Sequence, residues 1–159
     1  MDELTVLKQG MKLERDGLEF YLEAAERSDD PETAQLFRQL AADEVDHYNY
    51  IGRQYDAIAA GETWVPIPEL EEVEAVDVEA PIFPTGVTAL DVLPEDATDE
   101  HALLFALGVE MRSFELYSQS AKEVDNAAAR KLFQGLASAE QQHFNTVMLR
   151  HQSRFGYPR

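Results

Sequence analysis

The chain has no cysteine. That excludes disulfides, thiolate-bound zinc and iron–sulfur clusters held by this chain. It has no run of about 20 apolar residues, so no segment reads as a transmembrane helix. Positive charge is scarce: 13 Lys and Arg stand against 31 Asp and Glu, a net charge of -18. No Lys or Arg occurs from Gln54 to Met111. Nucleic acid and anionic membranes are therefore poor partners, and cations are natural ones. For most of the acidic residues solubility is a sufficient reading. The opening Met1-Asp2-Glu3 is acidic with no apolar signal region after it, so a cytoplasmic location is the expectation.

What the chain does have is helical periodicity in four segments rich in Ala, Leu, Glu, Gln and Lys. The first runs from about Leu4 to Arg27, with Leu7, Met11, Glu14, Leu18, Tyr21 and Ala25 on one stripe. The second runs from about Pro31 to Ala59, where Asp30-Pro31 makes a start signal and Gly61 a stop. The third covers about Asp99 to Glu123, with Thr98 or Asp96 as its cap. The fourth covers about Asn126 to Ser153, with Asp125 or Asn126 as its cap. Between the two pairs, Gly61 to Ala97 holds five of the seven prolines, and valines alternate with acids from Glu72 to Glu79. This stretch is expected to be a long crossover containing a short helix or extended piece. The length suits one all-α domain over residues 1–159: a hairpin at about 4–59, a crossover at about 60–97 and a hairpin at about 98–153.

The two hairpins repeat each other. Aligning each residue with the one 96 positions on gives 12 identities over the 36 positions from Glu14 to Asn49, with no gap. The shared positions include Tyr21/Tyr117, Leu36-Phe37/Leu132-Phe133, Leu40-Ala41/Leu136-Ala137 and Asn49/Asn145. They also include one pattern rich in chemistry. Glu14 is followed 30 residues later by Glu44-x-x-His47, and Glu110 is followed 30 residues later by Glu140-x-x-His143.

Hairpin geometry sets the height of each group. The first turn is centred near Asp29, 15 residues from both Glu14 and Glu44; the second is centred near Asp125, 15 residues from both Glu110 and Glu140. Constant rise per residue then places the partners at equal height on antiparallel helices. A three-residue step keeps Glu and His of each pair on one face. All six groups can meet at mid-bundle. A single Glu-x-x-His on an acidic helix reads as a solvated surface pair. Two copies, each with an upstream Glu and each interrupting an apolar stripe, read as a metal site. Four buried carboxylates are costly unless protonated, paired or metal-bound. Two divalent cations would offset four carboxylate charges. Oxygen-rich sites with one imidazole per metal suit iron or manganese and can hold zinc.

These residues resemble the rubrerythrin-like branch of the ferritin-like superfamily over about residues 4–58 and 99–152. The stretches Glu14-Arg15-Asp16-Gly17-Leu18-Glu19-Phe20-Tyr21 and Leu36 to His47 carry the resemblance. It implies a ferritin-like four-helix bundle of two helical hairpins joined by a long crossover. It implies that Glu14, Glu44, His47, Glu110, Glu140 and His143 bind two metal ions per chain, iron first, with manganese or zinc as alternatives. Glu44 and Glu110, or their symmetry mates, are expected to include the bridging carboxylates. It further implies an oxidoreductase that reduces peroxide or dioxygen, takes electrons from a separate donor such as a rubredoxin-type protein, and forms a homodimer. Iron oxidation coupled to storage, and non-redox metal binding, are the alternative functions.

The sequence departs from that branch in two ways. Ser113 stands where a further glutamate ligand is usual, and it matches Gly17 in the first half, so a more symmetric site is expected. The absence of cysteine rules out a rubredoxin domain on this chain.

Tyr21 and Tyr117 each follow a candidate ligand Glu by seven residues, and read either as hydrogen-bond donors to ligand carboxylates or as core tyrosines. Glu19 and Glu115 fall off the ligand face. His101 and His151 read as surface histidines. Trp64 reads as an anchor for the crossover.

Overall fold

The computed structural model describes residues 2–71, 83, 86–87 and 89–158. Four long helices and one short one make up the fold: α1 (Glu3–Arg27), α2 (Pro31–Ala59), α3 (Pro68–Glu71), α4 (Asp99–Glu123) and α5 (Ala127–Phe155). No strand occurs among the described residues. The 96-residue offset carries α1 onto α4 and α2 onto α5 residue for residue, at 25 and 29 residues each. The fourth helix runs two residues beyond the expected end.

Each long helix starts at a side-chain cap that satisfies an otherwise orphaned backbone N–H. Asp2 accepts from Thr5 N, Asp30 from Thr33 N, Thr98 from His101 N, and Asn126 from Ala128 N and Ala129 N. His101, expected on the surface, is partly buried and completes a capping box: its Nδ1 accepts from Thr98 N at 3.1 Å. After α2 the chain turns at Gly61, where φ is +79°, a conformation that suits glycine.

α1 packs mainly on α2, and α4 on α5; α1 also meets α4, and α2 meets α5. The result is a four-helix bundle of two hairpins. Its apolar core falls into two clusters. One gathers Leu7, Ile51, Phe114, Tyr117, Phe133 and Leu136; the other gathers Tyr21, Phe37, Leu40, Leu103, Phe144 and Val147. Between them lies the polar middle.

The crossover connects opposite ends of the bundle, and both of its described arms lie close against helices. Trp64 is buried, with its ring edge on Phe133 at 5.8 Å between centroids. Buried Gln54 clamps the next residue: its Oε1 accepts from Val65 N at 2.8 Å, and its Nε2 donates to Val65 O. α3 then rests on α5 at Gly135, where a Cβ would sit 3.0 Å from Leu70 Cβ. The returning arm rests on α4 at Gly108, where a Cβ would sit 3.1 Å from Leu90 O. Phe83 wedges between Phe114 and Phe144, touching both clusters. The expected short helix is α3; the valine–acid alternation at Glu72 to Glu79 lies outside the described residues.

At the end where α4 begins, ionic contacts tie the two hairpins. Arg150 of the second hairpin reaches Asp30 and Glu32 of the first, each at 2.7 Å, and Arg154 reaches Asp99 within its own hairpin at 2.7 Å. His151 corrects the sequence reading. It is buried, with Nδ1 2.8 Å from Gly156 O and Nε2 3.1 Å from Glu100 of α4. The reason is its place on the helix: Phe144, Val147, Met148 and His151 follow one another at helical spacing on the buried face of α5.

Candidate metal centre

Glu14, Glu44, His47, Glu110, Glu140 and His143 all turn inward at the waist of the bundle, and none is more than 7% exposed. They form two overlapping groups. Glu14, Glu44, His47 and Glu140 bring one donor atom each within 4.8 Å of one another; so do Glu44, Glu110, Glu140 and His143. The groups share Glu44 and Glu140, the two carboxylates of the Glu-x-x-His pairs. Glu14 and Glu110 each belong to one group. The shared pair therefore comprises Glu44 and its own symmetry mate, and Glu110 is not shared.

Both imidazoles present Nδ1 to the carboxylates. His47 Nδ1 lies 3.0 Å from Glu140 and 3.6 Å from Glu14. His143 Nδ1 lies 3.3 Å from Glu44 and 3.5 Å from both Glu110 and Glu140. The rings stack at 5.7 Å, 18° from parallel.

The two tyrosines cross between hairpins. Tyr21 donates to Glu110, and Tyr117 donates to Glu14 at 2.5 Å. Of the two readings of the tyrosines, the one as hydrogen-bond donors to candidate ligand carboxylates is the one seen. The lean of helical side chains toward the N-terminus brings each hydroxyl back to mid-bundle height. The partner there is the carboxylate across the interface. Glu19 and Glu115 are exposed, as their helical angle implied.

Sequence reasoning missed Asp43. Its Oδ2 lies 3.0 Å from His143 Nε2, the ring nitrogen facing away from the cluster. The signal was available only in part. Asp43 immediately precedes Glu44, but 96 positions on stands Ala139, so the repeat did not flag it.

Electrostatics fit a cation site. Burial pushes the Glu44 and Glu110 carboxyls well up, and Glu140 adds to both shifts. Burial opposes charge on His47, but Glu14 and Glu140 outweigh it and push that imidazole up to about 10. His143 is likewise raised against burial, by Glu110, Asp43 and Glu140. Burial opposes charge on Glu140, but the close approach of Glu110, His143 and His47 outweighs it and keeps that carboxyl well below the usual range. The hydrogen bond from His143 also lowers Asp43. Burial, followed by the nearby carboxylates, raises both tyrosines, so their hydroxyls remain donors. Protons thus do what cations would do: they reduce the repulsion among four crowded acids.

Buried polar atoms ordinarily have partners. Here Glu14 Oε2, Glu44 Oε1, Glu110 Oε2, Glu140 Oε2 and His143 Nδ1 are buried with no hydrogen bond. These five belong to the two four-residue groups, and two further such atoms, Ser118 Oγ and Gln141 Oε1, lie outside them. Oxygen and imidazole lone pairs in this number suit two divalent ions of the iron, manganese or zinc type. At Gly17, the position that matches Ser113, a Cβ would sit 3.5 Å from Glu44 Oε2, so a larger side chain there would enter the site.

Searches among curated proteins and among solved structures return no match. The family model for rubrerythrin matches residues 5–150, a span that holds all six of these groups and reaches into all four long helices; the chain belongs to the rubrerythrin family.

Proposed function

We propose that the protein binds two metal ions, iron in the first place, and works as an oxidoreductase that reduces peroxide or dioxygen. The observation that carries the metal reading is the set of buried, unpartnered oxygens and nitrogen shared by two overlapping groups. Glu14 and His47 would hold one ion, Glu110 and His143 the other, with Glu44 and Glu140 common to both. Family membership supports the redox reading.

Bound iron would supply the electrons by cycling between its ferrous and ferric states. The chain's own residues do the rest. Tyr21 and Tyr117 hold Glu110 and Glu14 in place through their hydroxyls, which fixes carboxylate orientation around each ion. The apolar clusters on either side exclude bulk water from the waist and strengthen every charge interaction there. Reducing one peroxide to two waters takes two electrons and two protons. With no cysteine on the chain, the electrons must come from a separate reductant, such as a rubredoxin-type protein.

The test is anaerobic reconstitution with Fe²⁺, followed by mixing with hydrogen peroxide. The expected result is two irons per chain, oxidation within seconds, and turnover once a reductant is added. Binding of fewer than two ions would overturn the di-metal reading. Two bound irons that oxidise slowly and only once would overturn the catalytic reading alone. Size-exclusion mass adds a second check: a dimer fits a redox enzyme, whereas a large hollow shell fits iron storage.

A further inference from the structure

The six candidate ligands obey the internal two-fold repeat, but the support behind the histidines does not. Asp43 Oδ2 accepts at His143 Nε2 at 3.0 Å, while its Oδ1 accepts from Gln39 at 3.3 Å, so the carboxylate is held from both sides. The repeat places Ala139 where the equivalent support for His47 would stand. His47 Nε2 has no hydrogen-bond partner among the described residues, although His47 is as buried as His143.

A neutral imidazole has one donor and one acceptor nitrogen, and the hydrogen bond made by one decides the role of the other. Asp43, an acceptor-only carboxylate, puts the proton on Nε2 of His143. That leaves Nδ1, which faces Glu44, Glu110 and Glu140, as the nitrogen that gives up its proton when an ion binds. Among the described residues His47 has no such group, so its tautomer and ring angle are set as it binds. Partners of this kind change metal affinity by about 10–100-fold.

We propose that Asp43 makes the two metal positions unequal, so that the position bearing His143 fills first and holds its ion more tightly. Asp43 is a positioning residue here, acting through His143. The proposal rests on the di-metal reading above. Because Glu44 and Glu140 serve both positions, the two binding steps are coupled whatever the asymmetry. The deciding readout is therefore which histidine carries the ion at half loading.

The experiment titrates the metal-free full-length protein anaerobically with Co²⁺ and follows imidazole proton resonances, together with calorimetric affinities. With one equivalent, the wild type should show the large through-bond contact shifts of a cobalt-bound imidazole at His143, with a slowly exchanging Nε2–H, and only through-space shifts at His47, whose ring is 5.7 Å away. Asp43→Ala should weaken the first step by about 10-fold or more and spread the first ion over both histidines. Asp43→Asn keeps an acceptor and should retain more of the preference. Ala139→Asp supplies the missing partner and should tighten the His47 position. Equal loading of both histidines in the wild type, or an Asp43→Ala loss shared by both steps, would overturn the proposal while leaving the di-metal reading intact. Failure of the wild type to bind two ions would instead overturn the di-metal reading. The Asp43 side chain is 36% exposed, so removing it opens no core cavity, and Ala139→Asp tests the same idea from the opposite hairpin.

Discussion

The two ends of the bundle are built from equivalent positions of opposite hairpins. Leu7, Ile51, Tyr117, Phe133 and Leu136 at one end answer, 96 positions apart, to Leu103, Val147, Tyr21, Phe37 and Leu40 at the other. Yet the ends are finished differently. The first receives the crossover, which adds Trp64, Ile67 and Leu70 to its core. The second is closed by ion pairs of Arg150 and Arg154 with Asp30 and Asp99. The difference shows where a duplicated hairpin is constrained. Groups that meet at the waist repeat, because two ions would need equivalent surroundings. Groups outside it are free to diverge, and at Asp43 and Ala139 the divergence reaches the support of the histidines.

The largest expected effect tests the shared pair against the unshared one. Glu44→Ala and Glu140→Ala should each abolish binding of both ions, whereas Glu14→Ala and Glu110→Ala should leave close to one ion per chain. Metal analysis after gel filtration distinguishes these outcomes, and equal losses in all four variants would remove the distinction. Next comes the asymmetric end. Trp64→Ala should destabilise the metal-free fold by about 3–5 kcal/mol in chemical denaturation, since it empties a large buried site, and the opposite end has no counterpart to substitute.

The tyrosines should behave as a matched pair. Tyr21→Phe and Tyr117→Phe each leave a buried carboxylate oxygen without its donor, at about 1–3 kcal/mol apiece. Unfolding free energies that differ between them by more than that range would show that the symmetry of the waist is only apparent.

The smallest effect is a pH dependence. Glu44, Glu110, His47 and His143 hold protons more tightly folded than unfolded when no metal is bound. The folded state therefore binds more protons, and stability falls as pH rises. For His47 that window runs from 6.5 to about 10. Scanning calorimetry of the metal-free protein should show Tm falling by several degrees across it. The metal-loaded protein, whose ligands are already deprotonated, should change less. A rising Tm in the metal-free protein would contradict the electrostatic account.

Much of this was legible in the chain. The start of α2 followed from Asp30-Pro31, and those of α4 and α5 were narrowed to Thr98 or Asp96 and to Asp125 or Asn126, because capping is a local interaction between neighbours in sequence. The convergence of Glu14, Glu44, Glu110 and Glu140 followed from equal distances to the two turns, because helical rise is constant. His151 was misread because its burial depends on Glu100 of the neighbouring α4 and on the chain turning back at Gly156. Asp43 went unread because repetition was the signal used, and its mate is Ala139.

The sequence by itself determined a duplicated helical hairpin with six potential ligands at one height, since periodicity and spacing are one-dimensional quantities that regular helices convert directly into position. Only the tertiary structure decided that Glu44 and Glu140 serve both groups, that each tyrosine bonds the glutamate of the opposite hairpin, and that Asp43 stands behind His143. Those outcomes depend on how each helix is rotated about its axis and how its side chains lean across an interface, which no spacing along the chain encodes.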